Sequence, residues 1–239
     1  IIRNSVFILD NGEILGFRDK AKLPNEHEFY DNRQFVPGDL PGPILIRGIR
    51  FGVPICEDIW DPEVCECLKE SGAEIILSIN GSTYNIDKME KRVNNVVSRA
   101  VENDIPLIYL NLVGGQDELI FDGGSFAVNS DGQLACQLPL FETFDGIIEI
   151  ENNSSSLKIS SKHLFKDQTG YESLYSAIML SLRDYVTKNS FKNVILGLSG
   201  GIDSALVSAV AVDALGPENV RCFMLPSKCT SQESTNDAK

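Results

Sequence analysis

Two stretches of this 239-residue chain carry side chains whose type and spacing suit catalysis. The first is Gly52-Val53-Pro54-Ile55-Cys56-Glu57-Asp58-Ile59-Trp60. An apolar run with strand character ends at Cys56, so a strand-to-helix turn would present the sulfur beside a helix N-terminus. That field favours the thiolate, lowers its pKa and makes a nucleophile. On residue type alone, a small, inert, buried thiol is the alternative. The second stretch is Ser199-Gly200-Gly201-Ile202-Asp203-Ser204. Its glycines permit a tight turn whose backbone N–H groups converge on one concavity. A helix following the turn would add its unpaired N–H groups and positive dipole end, so the site suits pyrophosphate. Ser199 and Ser204 offer hydroxyl donors, and Asp203 offers a carboxylate for a magnesium ion bridging phosphate oxygens. A serine–glycine turn without a ligand is the alternative. Neither G-x-x-x-x-G-K-[ST] nor G-x-G-x-x-G occurs.

Positioning these groups requires strands that end at each motif. Ser5–Leu9 and Ile14–Phe17 flank Asn11-Gly12, and Ile44–Ile46 and Ile49–Val53 flank Arg47-Gly48, two hairpin patterns. Glu74–Ile79 reads as a buried strand broken by Asn80-Gly81-Ser82. Val93, Val96, Val97, Ala100 and Val101 form one apolar helical stripe, ending before Pro106. Pro106–Asn111 is a further strand, and Gly123–Val128 with Gln133–Gln137 a further hairpin. Strands mixed with long helices predict an α/β or α+β architecture. The polar run Asn152–Ser156 predicts a linker over 151–168 between units at 1–150 and 169–239. In the second unit a helix carries Leu174, Ala177, Ile178, Leu182 and Tyr185. Then strand Val194–Leu198, helix Ser204–Leu215 and strand Val220–Leu225 make a βαβ unit.

Composition excludes more than it identifies. A net charge of −13 and a pI near 4.6 argue against a nucleic-acid or anionic-membrane surface. No apolar run approaches the roughly 20 residues a bilayer needs. Six irregularly spaced cysteines and two histidines give no zinc-ligand pattern, and reduced thiols in a cytoplasmic protein are expected. The start at Ile1 and the unfinished stretch from Ser231 to Lys239 lead us to expect a fragment cut at both edges.

Lys20-Ala21-Lys22-Leu23-Pro24-Asn25, then Arg33, Phe35, Pro37 and Gly38, then the Cys56 motif, resemble the nitrilase or carbon–nitrogen hydrolase superfamily. The resemblance implies an α-β-β-α sandwich and a Glu-Lys-Cys triad. Its K-x-x-L-P-N pattern selects Lys20 over Lys22, where residue type alone gives a solvated surface charge. Cys56 is then implied to attack the side-chain carboxamide of glutamine, with Lys20 and the backbone N–H of Glu57 stabilising the oxyanion. The triad glutamate is not assigned, because Glu13 sits in a hairpin rather than an early strand, and the base is expected to precede Ile1. Glu26 stands where the family usually has a glutamine-site tyrosine, and Asp31 where it has a supporting glutamate. Asn80–Tyr84 resembles the family's glutamine-contacting loop, with Ser82 as the contact and Lys88 meeting the substrate carboxylate. A helix cap and a surface lysine are the plainer readings of those two. Val113–Glu118 with Phe121-Asp122-Gly123 resembles the glutaminase domain of NAD synthetases, and an acidic surface turn is the alternative for Gln116, Asp117 and Glu118.

The second motif resembles the signature of N-type ATP pyrophosphatases, implying the start of a Rossmann-like adenine-nucleotide α-hydrolase domain with a parallel sheet. Asp184-Tyr185-Val186, Lys188-Asn189, Val194–Ala205 and Met224–Ser227 resemble NAD synthetases more closely still. That implies ATP contacts at Gly197, Leu198, Ser199, Gly200, Gly201, Ile202, Asp203 and Ser204, with Met224 beside the adenine and Mg2+ on Asp203. The order of the two halves is that of the glutamine-dependent NAD synthetase family. The resemblance therefore implies a ligase, homo-oligomeric when full length, acting on glutamine, ATP and deamido-NAD. ATP adenylylates the nicotinate carboxylate, pyrophosphate leaves, and channelled ammonia completes NAD. A truncated or degenerate copy that binds ATP or a partner subunit without catalysing is the competing expectation.

Overall fold

The computed structural model describes residues 1–26, 29–152 and 156–238, with Glu26 described by its backbone alone. Strands β1 (Ser5–Asp10) and β2 (Glu13–Asp19) pair antiparallel across Asn11 and Gly12 at φ +51° and +82°. That is the left-handed pair a tight hairpin turn needs. After the short β3 (Asn25–Glu26) and β4 (Phe29–Tyr30), the same device joins β5 (Ile44–Ile46) to β6 (Ile49–Gly52) through Arg47 and Gly48. Then come α1 (Pro62–Glu70), β7 (Ile75–Asn80), α2 (Lys88–Glu102) and β8 (Leu107–Asn111). A tight hairpin follows, β9 (Val113–Gln116) with β10 (Leu119–Asp122), then β11 (Phe126–Val128) and β12 (Leu134–Gln137).

One six-stranded sheet, in the order β12-β11-β8-β7-β6-β5, organises this half. Its centre β6-β7-β8 is parallel and its outer pairs are antiparallel. The near-continuous apolar run of β7 suits a central strand buried on both faces. On one face α1 and α2 bring Val64, Cys65, Leu68, Val96 and Ala100 against Ile76, Leu107, Tyr109 and Phe126. Gly52 fits there closely, because a Cβ would stand 3.0 Å from the Leu68 side chain. The fold is nitrilase-like α/β: a helix layer and this sheet are built, and two-stranded hairpins lie beyond.

The connector differs from expectation. Residues 149–160 hold a hairpin, β13 (Glu149–Asn152) with β14 (Leu157–Ser160), and 153–155 fall outside the described residues. Leu157 and Ile159 are buried with Ile75, Ala127 and Cys136 on the sheet's second face. Asn129 clamps Ile159 through both its backbone groups, at 3.1 and 2.8 Å. A brief Leu-x-Ile alternation behind a polar tract hid this docked strand.

Beyond it, α3 (Gly170–Lys188) leads to β15 (Val194–Gly197), α4 (Ile202–Leu215), β16 (Val220–Phe223) and a short α5 (Gln232–Asp237). β15 and β16 pair in parallel, so the expected βαβ unit is present. Among the described residues no helix is long and apolar enough to cross a membrane.

Candidate functional site

Ile55 bridges Ile79 alongside β7, and Cys56 then turns sharply at φ +49°. A left-handed backbone at a residue with a Cβ costs about 1–2 kcal/mol, and such strain is held where neighbours enforce it. A single 3-10 turn, Cys56–Ile59, follows, and α1 begins only at Pro62. This corrects the expected strand-to-helix junction, and the electrostatics change with it. Burial pushes the Cys56 thiol up rather than down. Lys20, the backbone N–H of Gly81 and Lys88 each pull it back, while Glu57 acts with burial.

Lys20 is not a surface charge. It is 4% exposed, and its Nζ lies 2.6 Å from Asp31 Oδ2. The aspartate that departs from the family pattern is therefore the partner of the lysine. Asp58, which carries no signal of its own in the sequence, joins the two motifs. Its Oδ1 accepts from Ala21 and Lys22 N–H at 3.0 and 2.7 Å, and its Oδ2 from Ile55 N–H at 2.9 Å. The Ile55-x-x-Asp58 spacing, half of a capping box, was the available signal. An open pocket of about 610 Å³, lined by Leu23, Asn32, Glu57 and Trp60 among others, adjoins these loops.

The loop after β7 is set by a second unforeseen residue. Arg92 is fully buried and donates to both oxygens of Asp122, to Ser82 Oγ, and to the carbonyls of Ser82 and Thr83. Asn111 accepts from Ser82 N–H at 2.9 Å and donates to Asp122. Arg92 lies four residues before Val96 and eight before Ala100, so a cation on the buried stripe was the signal. Ser82 is thus buried and fixed. Lys88 opens α2 and donates to Thr83 Oγ1 at 3.1 Å. The structure brings Lys20, Cys56, Ser82 and Lys88 to one region. Glu26 lies on β3, and its side chain is outside the described residues.

The phosphate-type loop sits at the carboxyl end of β15. Gly200 has φ +83°, and a Cβ there would stand 2.2 Å from the Ser234 carbonyl. Ser204 Oγ bonds Ser199 N–H, Ser199 Oγ and the Gly201 carbonyl, and Gly201 N–H donates to Ser199 Oγ. Gly197, Ser199 and Asp203 are exposed, and Leu198 and Met224 are half-buried. Met224 follows directly on β16, so it too lies at the carboxyl end of a parallel strand. Crevices outside those ends bind ligands in open α/β sheets. Among the described residues no cluster of three metal-binding side chains exists. A lone Asp203 suits a magnesium ion that arrives with phosphate oxygens, which needs only one or two protein carboxylates.

The halves meet at the β9-β10 hairpin. Gly115 N–H donates to Asp184 Oδ2 at 2.9 Å, and Lys188 Nζ donates to the Gly115 carbonyl at 2.6 Å. Leu140, Phe141, Ala177 and Leu180 pack beneath this seam.

Residues 1–155 match the carbon–nitrogen hydrolase family, and residues 174–239 match NAD synthase. The chain is similar to the glutamine-dependent NAD(+) synthetase of Rhodobacter capsulatus, 41% identical over 235 residues, 98% of this chain and 43% of that protein. It is also similar to the Acinetobacter baylyi protein of the same description, 39% identical over 240 residues, with 98% and 43% covered. Among solved structures, the glutamine-dependent NAD+ synthetase of Acinetobacter baumannii in complex with ADP matches with a TM-score of 0.92 and 38% identity. That match covers 99% of this chain and 44% of the other. The chain thus spans less than half the length of these relatives.

Proposed function

The chain belongs to the carbon–nitrogen hydrolase family, and on that premise we propose that it carries the amidase half and the nucleotide loop of a glutamine-dependent NAD synthetase. One observation carries the reading most. A lysine buried almost completely, and held by a carboxylate, acts on a half-buried thiol whose backbone is strained into a turn.

In this reading Cys56 Sγ attacks the carboxamide carbon of glutamine. Burial pushes the thiol up and so favours its protonated form, which makes a base to take its proton the task of the unassigned triad glutamate. The new C–S bond leaves an oxyanion that Lys20 Nζ and the Glu57 N–H stabilise. Proton return to nitrogen breaks the C–N bond and frees ammonia, and water then hydrolyses the thioester to glutamate. Ser82 and Lys88 hold the substrate's α-groups, with Glu26 proposed as a further glutamine contact.

Gly197 to Ser204 bind the phosphates of ATP and Met224 flanks its adenine. Magnesium on Asp203 would neutralise phosphate charge as pyrophosphate leaves. Adenylylated deamido-NAD accepts the ammonia, giving NAD and AMP. We place the units at 1–150 and 169–239, with the β13-β14 hairpin and the stretch His163–Phe165, which pairs with Gln137, lying against the first unit rather than forming a free connector. Six free thiols fit a reducing cytoplasm, and exposed Phe7, Leu9 and Phe17 on β1-β2 fit a homo-oligomer.

Cys56→Ala should abolish glutamine-dependent NAD formation and spare the ammonia-dependent reaction, whereas Asp203→Ala should remove both. Loss of both activities in a folded Cys56→Ala protein overturns this division.

A further inference from the structure

We propose that Asp58 is a positioning residue that sets the Lys20–Cys56 pair, an assignment that rests on the amidase reading of that pair. The two side chains lie 36 residues apart in the chain, and the Asp58 carboxylate touches the backbone beside both. It holds Ile55 N–H, immediately before the left-handed Cys56, and Ala21 and Lys22 N–H, immediately after Lys20. One group therefore ties together the two backbone segments that carry the ammonium, itself held by Asp31, and the sulfur.

A simpler role, capping the 3-10 turn, accounts for the Ile55 bond alone. It leaves unexplained why the other oxygen reaches across to a separate loop for two more bonds. A carboxylate suits this because it only accepts, through two oxygens. An asparagine has one acceptor oxygen, so its NH2 group would face an N–H on one side or the other. The remaining anchors of Lys20 do not involve the cysteine loop: Asp31 holds its Nζ at 2.6 Å, its N–H donates to the Asn4 carbonyl, and its own carbonyl accepts from Gly38 N–H, both at 2.8 Å.

The molecule supplies its own control. Lys22 Nζ ties the same loop to Asp61 and Glu63 at 3.0 and 2.8 Å, but these are partly exposed pairs. Exposed pairs of this kind hold geometry weakly. If any tie between the segments sufficed, removing Lys22 would matter as much as removing Asp58.

The test is the pH profile of Cys56 alkylation by iodoacetamide, followed on the Cys56 peptide by mass spectrometry. The charged groups acting on that thiol are Lys20, Lys88 and Glu57. Asp58→Asn should move the profile upward as Lys20→Met does, lowering the rate at pH 8 about tenfold for one pKa unit. In the Lys20→Met background it should add nothing, and Lys22→Ala should leave the profile in place. An Asp58→Asn protein with lowered thermal stability but an unmoved profile overturns the proposal, as does a full additional shift in the double variant. Should Lys20→Met itself leave the profile unmoved, the amidase reading fails instead. Asp58→Glu, which keeps both acceptor oxygens, should fold and shift the profile less. If neither Asp58 variant folds, the carboxylate is a folding element and the positioning role is rejected.

Discussion

The Lys20–Cys56 site and the Ser199–Ser204 loop are built on opposite plans. In the first, Asp58 reaches partners 36 and 37 residues away and Arg92 reaches Asp122 across 30. The ionic groups Lys20, Asp58, Arg92 and Asp122 are all buried. In the second, every side-chain hydrogen bond closes within five residues, and Ser199 and Asp203 face solvent. A buried constellation is organised before substrate arrives, and its polar groups depend on one another. An exposed loop is complete in itself and waits for a phosphate to collect its N–H groups.

That contrast breaks most easily at Arg92. Arg92→Met would leave the Asp122 carboxylate, only 2% exposed, without its cation. Removing one partner of a buried pair costs about 3–5 kcal/mol. Asp203→Ala, at an exposed helix start, should change stability by less than about 0.5 kcal/mol. Urea unfolding of both variants decides: an Arg92→Met protein within about 1 kcal/mol of the parent would mean that the buried network is not interdependent.

The seam between the two plans is tested next. At Gly115 an added Cβ would stand 2.9 Å from the Ser181 Cα, a backbone atom that cannot rotate away. Gly115→Ala should cost about 1–3 kcal/mol, as overpacking does. It should also lift α3 from the β9-β10 hairpin and speed proteolysis after Ser160. Unchanged proteolysis would show that the halves are held together elsewhere.

The same difference decided what the sequence could show. Ser199–Ser204 is contiguous, so its turn, its glycines and its helix start were readable in one line. The hairpins at Asn11-Gly12 and Arg47-Gly48 were readable for the same reason, since the turn residues carry their own φ requirement. Lys20 and Cys56 could be paired only through family resemblance, because nothing local joins them. Asp58 and Arg92 went unassigned because their function lies in partners that only folding supplies. The thiol's state is hidden for a related reason: a strand-to-helix turn can be read from a pattern, whereas the burial that outweighs Lys20, Lys88 and the Gly81 N–H belongs to the packed state. β14 was lost because two apolar residues signal a strand weakly until Asn129 and the sheet receive them.

Thiol burial gives a pH test of the contrast. Cys65 is fully buried, and its thiol is pushed up from 9.0 to about 12 by loss of solvent, whereas Cys222 and Cys229 in the nucleotide half are exposed. Between these values the unfolded chain releases the Cys65 proton and the folded chain keeps it. Folding therefore binds more protons, so the contribution present below pH 9 is lost as pH climbs toward 12. The expected slope is a loss of up to about 1.4 kcal/mol per pH unit. Cys65→Ala should flatten the alkaline stability curve by that amount, whatever its effect at pH 7. An identical slope in parent and variant would place Cys65 in contact with water.

The smallest effect concerns the one tyrosine hydroxyl among the described residues that burial leaves unpaired. Tyr109 stacks on Phe126 at 5.0 Å beneath the helices, and its hydroxyl faces Ser82 without making a hydrogen bond of normal length. Arg92 and Cys56 both act on it electrostatically, so it borders the buried constellation rather than lying at random in the core. Preorganisation around charged groups has left this hydroxyl poorly paired, a defect the exposed loop avoids because its serines bond one another and the loop backbone. Tyr109→Phe keeps the ring and its packing and deletes only the orphan. Since an unsatisfied buried hydroxyl carries a desolvation penalty, the variant should gain up to about 1 kcal/mol in urea unfolding, with the Cys56 alkylation profile unchanged. A loss of more than about 1 kcal/mol would mean that the hydroxyl makes a bond in solution, and that the buried site is as fully satisfied as the open one.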